Sequence, residues 1–84
     1  MAKVELTAQA LEQFARLPRT IQERVRKVLH RLKNWPDVSG AKPSSGNLAG
    51  RYRIRTGDYR IRFYVQDDLV VVDQIGHRRD FYEG

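Results

Sequence analysis

The segment from Arg51 to Val65 constrains this chain more than any other, because its residue types alternate with a period of two. Arg51, Arg53 and Arg55 alternate with Tyr52 and Ile54; after Thr56-Gly57-Asp58, Tyr59, Ile61, Phe63 and Val65 alternate with Arg60, Arg62 and Tyr64. Period-two alternation around a Gly/Asp turn is the pattern of a tight antiparallel hairpin with one buried face. Whether Arg55 pairs with Asp58 or with Arg60, the faces divide the same way. Tyr52, Ile54, Tyr59, Ile61, Phe63 and Val65 face the core, and all five arginines face away from it. Like charges opposed on a sheet destabilise it. Asp58, Asp67 and Asp68 fall in turns, so this reading leaves the arginine face poorly neutralised. An amphipathic hairpin can carry exposed arginine for solubility alone. Five on one face call for an anion, and the planar guanidinium fork suits phosphate.

The remaining segments supply a cover for the other face. Ala2, Val4 and Leu6 alternate with Lys3 and Glu5 as in a short strand. Thr7 is placed to cap a helix carrying Leu11 and Phe14, with Leu17 at the next helical step and Pro18 interrupting. A second helix starts with Thr20-Ile21-Gln22-Glu23 as a capping box, or with Pro18 in its first position. Ile21, Val25, Val28, Leu29 and Leu32 form its apolar stripe. Residues 36–50, rich in Pro, Ser and Gly, form a long loop. After a turn at Asp67-Asp68, Leu69 to Ile75 is apolar on nearly both faces, as an interior strand is. The order is β-α-α-β-β-β, an α+β fold: an N-terminal strand and a helical hairpin packed on a curled, mostly antiparallel four-stranded sheet, with a short C-terminal tail. Eighty-four residues make one domain spanning 1–84.

Composition narrows the function. Sixteen basic residues against ten acidic give a net charge of +6, which favours a polyanion or an acidic protein as partner. There is no cysteine, hence no disulfide, thiolate nucleophile or cysteine zinc site. No run is long and apolar enough for a membrane span or a signal peptide, and a cytoplasmic protein is expected. Walker loops, GxGxxG and GxSxG motifs are absent, and no His or carboxylate spacing suggests a metal. No cofactor is expected.

The tail Gly76-His77-Arg78-Arg79-Asp80-Phe81-Tyr82 adds guanidinium, imidazole and phenol groups directly after the interior strand. His77 follows a glycine and precedes two arginines, which favour the neutral imidazole that a proton acceptor requires. A lone histidine is more often structural. Tyr82 serves equally as an aromatic plug of a small core or as a stacking platform for an exposed base.

The run Asn47-Leu48-Ala49-Gly50-Arg51-Tyr52-Arg53-Ile54-Arg55-Thr56-Gly57-Asp58-Tyr59-Arg60-Ile61-Arg62-Phe63 resembles the central signature of RelE-type toxins of bacterial and archaeal toxin–antitoxin systems. Gly76-His77-Arg78-Arg79 with Tyr82 resembles the C-terminal signature of the same family, within the RelE/ParE superfamily. The likeness runs over essentially the whole chain. It implies a ribosome-dependent endoribonuclease, an mRNA interferase cutting message in the decoding site and so inhibiting translation. It also implies a small cognate antitoxin, with operator DNA reached only through that antitoxin. By the same likeness the catalytic positions are Arg53 and Arg55 on the strand after the loop, Arg60 after the hairpin turn, Arg78 in the tail, and Tyr82 as stacking group. Some members carry lysine where this chain has Arg53 and Arg55, and a leucine and a basic residue near Ser44-Ser45. Arginine does not give up a proton, so His77 is expected to be the titrating group here.

Such a residue set suits cleavage in which the RNA supplies its own 2′-hydroxyl nucleophile. That reaction needs in-line geometry and charge stabilisation, but neither a metal nor a cofactor. Two other expectations compete with it: a ParE-like toxin that binds DNA gyrase and cleaves nothing, and an inactive toxin serving as co-repressor with its antitoxin.

Overall fold

The computed structural model describes residues 2–44 and 50–80. Strand β1 (Lys3–Leu6) leads into helices α1 (Ala8–Ala15) and α2 (Arg19–Arg31), followed by a 3-10 turn at Leu32–Asn34. Strands β2 (Lys42–Pro43), β3 (Arg51–Thr56), β4 (Tyr59–Gln66) and β5 (Leu69–His77) follow, and a second 3-10 turn, Arg78–Asp80, begins the tail. The α+β architecture is the one expected, with one difference. The sheet has five strands rather than four, in the order β1-β5-β4-β3-β2. The extra strand, β2, comes from the loop: Lys42 and Pro43 pair with Arg53 and Tyr52. A proline on a two-residue edge strand removes no interior ladder bond, so composition alone gave no strand signal there. β1 runs parallel to β5, and the other pairings are antiparallel.

The helices begin where side-chain chemistry lets them. Thr7 Oγ1 accepts the N–H of Ala10 at 3.1 Å and caps α1. The capping box at Thr20–Glu23 does not form: Pro18 is the N-cap of α2, so Thr20 lies within the first turn. Gln22 Nε2 instead donates to Phe14 O at 3.0 Å, satisfying a carbonyl at the end of α1 and fastening the helical hairpin.

Along α2 the apolar stripe packs as expected, with Val25, Val28 and Leu32 buried and Ile21 and Leu29 against them. On α1 the stripe is shifted. Ala10, Phe14 and Leu17 meet the core, whereas Leu11 is 59% exposed. The inward position between them belongs to Gln13, whose Oε1 accepts the N–H of Ile75 at 2.7 Å. A polar side chain on the buried stripe is explained by that bond.

One face of the sheet buries Ile54, Ile61, Phe63, Val70, Val72 and Ile75 against these helices. Trp35 closes this core, edge-on to Tyr52 and Phe63 at 4.7 and 5.4 Å between ring centroids. The β3–β4 loop has Gly57 at φ +59° in the first central position, where a two-residue hairpin loop needs glycine. Between β4 and β5 the register shifts: Arg62 pairs with Gln74 but Phe63 with Val72, leaving Asp73 as an extra, bulged residue. The bulge resets the alternation, so Val70 and Val72 before it and Ile75 after it all face the core.

Candidate functional site

The register lays the outward face of the sheet out in rows. Arg51 stands beside Tyr64 and Val71; Lys42, Arg53, Arg62 and Gln74 form the next row; Arg55, Arg60 and Gly76 form the third. All five hairpin arginines share this face, as the alternation requires.

They are not equivalent. The expectation of a poorly neutralised face holds for only part of it. Asp73, brought outward at the bulge, binds both Arg51 Nη1 and Arg62 Nε, the latter at 3.2 Å. Its side chain is only 15% exposed, and the Arg51 guanidinium also lies 5.1 Å from the centroid of the Tyr64 ring. This end of the face is a closed electrostatic cluster. The signal for it was present in the sequence: an aspartate interrupting the apolar run Val70-Val71-Val72 must find partners when buried.

At the other end Arg55 stands directly opposite Arg60. Among the described residues neither forms an ion pair. Both line a cleft of about 440 Å³ together with Arg53, Lys42, Arg31, Ser39, Gly40 and Ile54. Five of these lining residues are cations and none is a carboxylate. Arg31 enters from the last turn of α2, and its Nη2 donates to the Ser39 carbonyl at 2.7 Å, holding the loop that forms one wall. Lys42 and Arg31 were not singled out in the sequence. Lys42 sits in a segment with loop composition, and Arg31 is one basic residue among many on a helix.

The expected site residues therefore divide. Arg53, Arg55 and Arg60 converge on the cleft. Arg78 does not line the cleft but stands at the hairpin tip: its N–H donates to the Asp58 carbonyl at 2.7 Å, its Nε lies 4.0 Å from Asp58 Oδ1, and its side chain is 63% exposed. His77 is placed elsewhere. It pairs with Tyr59, two positions beyond the core pair Ile61–Ile75, so strand alternation puts it on the helix-facing side of the sheet. There it lines a separate hollow with Gln13 and Leu17, meets Tyr59 edge-on at 5.4 Å, and accepts the Arg79 N–H on Nδ1 at 3.3 Å. Tyr82 lies outside the described residues. Among the described residues no group of three His, Asp or Glu side chains could hold a metal ion, and no helix is long and apolar enough to cross a membrane.

A cationic cleft with no carboxylate among its described lining residues, built around a like-charge pair, can hold phosphate and stabilise added negative charge on it. Residues 4–82 match the family model of the ParE toxin of type II toxin–antitoxin systems, parDE. The chain belongs to that family. Among curated proteins it is 25% identical to toxin RelE3 of Methanocaldococcus jannaschii, over 96% of both chains. Among solved structures it is similar to the RelBE2 toxin–antitoxin complex of Mycobacterium tuberculosis, with a TM-score of 0.80 and 26% identity over 92% of this chain and 98% of that one. The isolated RelE toxin of E. coli shares the fold, with a TM-score of 0.77 and 22% identity over 92% and 84% of the two chains. Within the RelE/ParE superfamily, this toxin is of the RelE type.

Proposed function

We propose that this toxin is a ribosome-dependent endoribonuclease that cleaves mRNA in the decoding site. The observation that carries the proposal is the Arg55–Arg60 pair. Two guanidinium groups opposed across strands, in a cleft lined by further cations and, among the described residues, by no carboxylate, are the arrangement that an added anion stabilises.

In the reaction the 2′-oxygen of the substrate attacks the adjacent phosphorus and loses its proton. The bond from phosphorus to the 5′-oxygen breaks, and that oxygen takes up a proton. The products are a 2′,3′-cyclic phosphate and a 5′-hydroxyl. Charge builds on the non-bridging oxygens of the phosphorane, where Arg53, Arg55 and Arg60 act, with Arg78 reaching in from the hairpin tip. Guanidinium groups supply this positive charge without a metal or cofactor. Tyr82 is assigned to stack on a splayed base. We assign His77 a positioning role, because its contacts set the first turn of the tail that carries Arg78 and Tyr82. With no imidazole or carboxylate among the described residues that line the cleft, in-line placement of the message is assigned largely to the ribosome.

The similar RelBE2 structure is a toxin–antitoxin complex, which supports a cognate antitoxin as partner of this chain. Operator DNA is assigned as a target reached only through that antitoxin. Such a complex belongs in the cytoplasm, where message and ribosomes are. The ParE name of the matching family supports a second reading, a toxin that binds DNA gyrase.

Mapping mRNA 5′ ends after induction, on and off ribosomes, tests the proposal. Codon-periodic cuts confined to translated message are expected. Intact message together with inhibited gyrase supercoiling overturns the nuclease in favour of the second reading; intact message and active gyrase leave the co-repressor role.

A further inference from the structure

The cleft is larger than one phosphate requires. Arg53, Arg55 and Arg60 already supply three guanidinium groups for one phosphate, yet cations continue past them to Lys42 on β2 and Arg31 at the end of α2. Arg60 on β4 and Lys42 on β2 lie two strand spacings apart, about 10 Å across the sheet, with Lys42 in the next row along the strands. Lys42 is the cross-strand neighbour of Arg53 and so projects from the same face of the sheet. Arg31 is fixed at the far wall by its bond to the Ser39 carbonyl, which uses only part of its five-donor fork. The positive charge thus runs across the strands from β4 to the β2 edge and on to α2, a track rather than a point.

We propose that Lys42 and Arg31 form a second phosphate subsite, gripping the phosphodiester next to the one held by Arg53, Arg55 and Arg60. The ligand of this subsite is the backbone of single-stranded RNA, and its two residues position the strand without touching the reacting atoms. The inference rests on the nuclease reading and adds to it the path of the strand over the protein. It also explains why β2 exists. Two residues of edge strand contribute little to the core, but pairing with Tyr52 and Arg53 holds Lys42 in line with the arginines.

The test measures binding of the full chain to uncleavable 2′-O-methyl oligonucleotides: a dinucleotide with a single phosphate and a tetranucleotide with three. Lys42→Ala and Arg31→Ala are each expected to weaken tetranucleotide binding about threefold to tenfold. Each should also flatten the dependence of log affinity on log salt by about 0.7, as loss of one phosphate contact on a single strand does. Dinucleotide binding should stay within about twofold of wild type, and Lys42→Arg should keep tetranucleotide affinity. Unchanged tetranucleotide binding in both alanine variants, or an equal loss on the dinucleotide, overturns the second subsite. Arg55→Ala and Arg60→Ala serve as the reference and should weaken both ligands. If these two leave both ligands unaffected, it is the nuclease reading that fails.

Discussion

The two ends of one sheet face use the same residue type for opposite purposes. At one end Arg51 and Arg62 close on Asp73, with Tyr64 beneath Arg51; charge there is matched, partly buried and serves the fold. At the other end Arg55 faces Arg60 across the strands in a cleft whose described lining holds no carboxylate. The first pair of arginines is stabilised by the protein itself. The second has no ion-pair partner among the described residues, which is the state an anion would relieve. Counting arginines does not separate the two groups, but asking where each finds its counter-charge does.

That difference is most sharply broken at the cleft. Arg55→Ala or Arg60→Ala should remove about 2–4 kcal/mol of transition-state stabilisation, slowing cleavage of ribosome-bound message roughly 30- to 1000-fold. Stability in urea should change by no more than about 0.5 kcal/mol, as for other outward-facing substitutions. A variant that loses activity only in proportion to its unfolded fraction would show that these arginines are structural after all.

Asp73→Ala acts at the other end and should do the reverse. It leaves two partly buried guanidinium groups without their acceptor, a cost of about 1–3 kcal/mol. In a chain of this size each kcal/mol lowers Tm by about 4–8 °C. Cleavage per folded molecule should be largely kept, since Asp73 does not line the cleft. A loss of activity in fully folded Asp73→Ala would mean that the two ends are coupled.

The same contrast explains what could be read from the residues alone. The hairpin, its division into faces, the helix over Val25 and Val28, and the interior strand were legible because each depends on periodicity and a local turn. The pairing of β2 was not, because Lys42-Pro43 has no strand periodicity and is ordered only by β3 beside it. The bulge at Asp73 was missed for a related reason: a one-residue shift is set by which side chains can be buried across strands, not by local composition. Its cost was specific, hiding the partner of Arg51 and Arg62. The placement of His77 follows from strand parity counted from the Ile61–Ile75 pair, and that count requires the register. Leu11 failed on helix phase, since the inward position went to Gln13 for the sake of one hydrogen bond.

A substitution at Arg55 can sharpen the comparison from the side of stability. Arg55→Thr replaces one member of the opposed pair with a residue well suited to strands. Removing a directly opposed like charge should raise the unfolding free energy by about 0.2–1 kcal/mol while cleavage is lost. Arg62→Thr, the same exchange at the neutralised end, should lower stability because Asp73 loses a partner. Opposite signs from identical substitutions one row apart are the expected result; equal signs would erase the distinction between the ends.

The smallest effect on activity is expected at His77. Its ring stands on the helix-facing side of the sheet, across the backbone from Arg60 and Gly76. Its Nδ1 accepts the Arg79 N–H, so a neutral ring carries its proton on Nε2 and presents a donor there rather than a base. His77→Gln offers a side-chain oxygen for the same N–H and should cleave within about fivefold of wild type, under about 1 kcal/mol. A general base contributes about 10²- to 10⁴-fold, well outside that range. Single-turnover cleavage on ribosomes across neutral pH distinguishes the roles. A positioning residue leaves the shape of the pH–rate profile as it was. If His77→Gln instead slows cleavage a hundredfold and abolishes a limb of the profile, the imidazole takes part in proton transfer, and the tail must reach the cleft when message is bound.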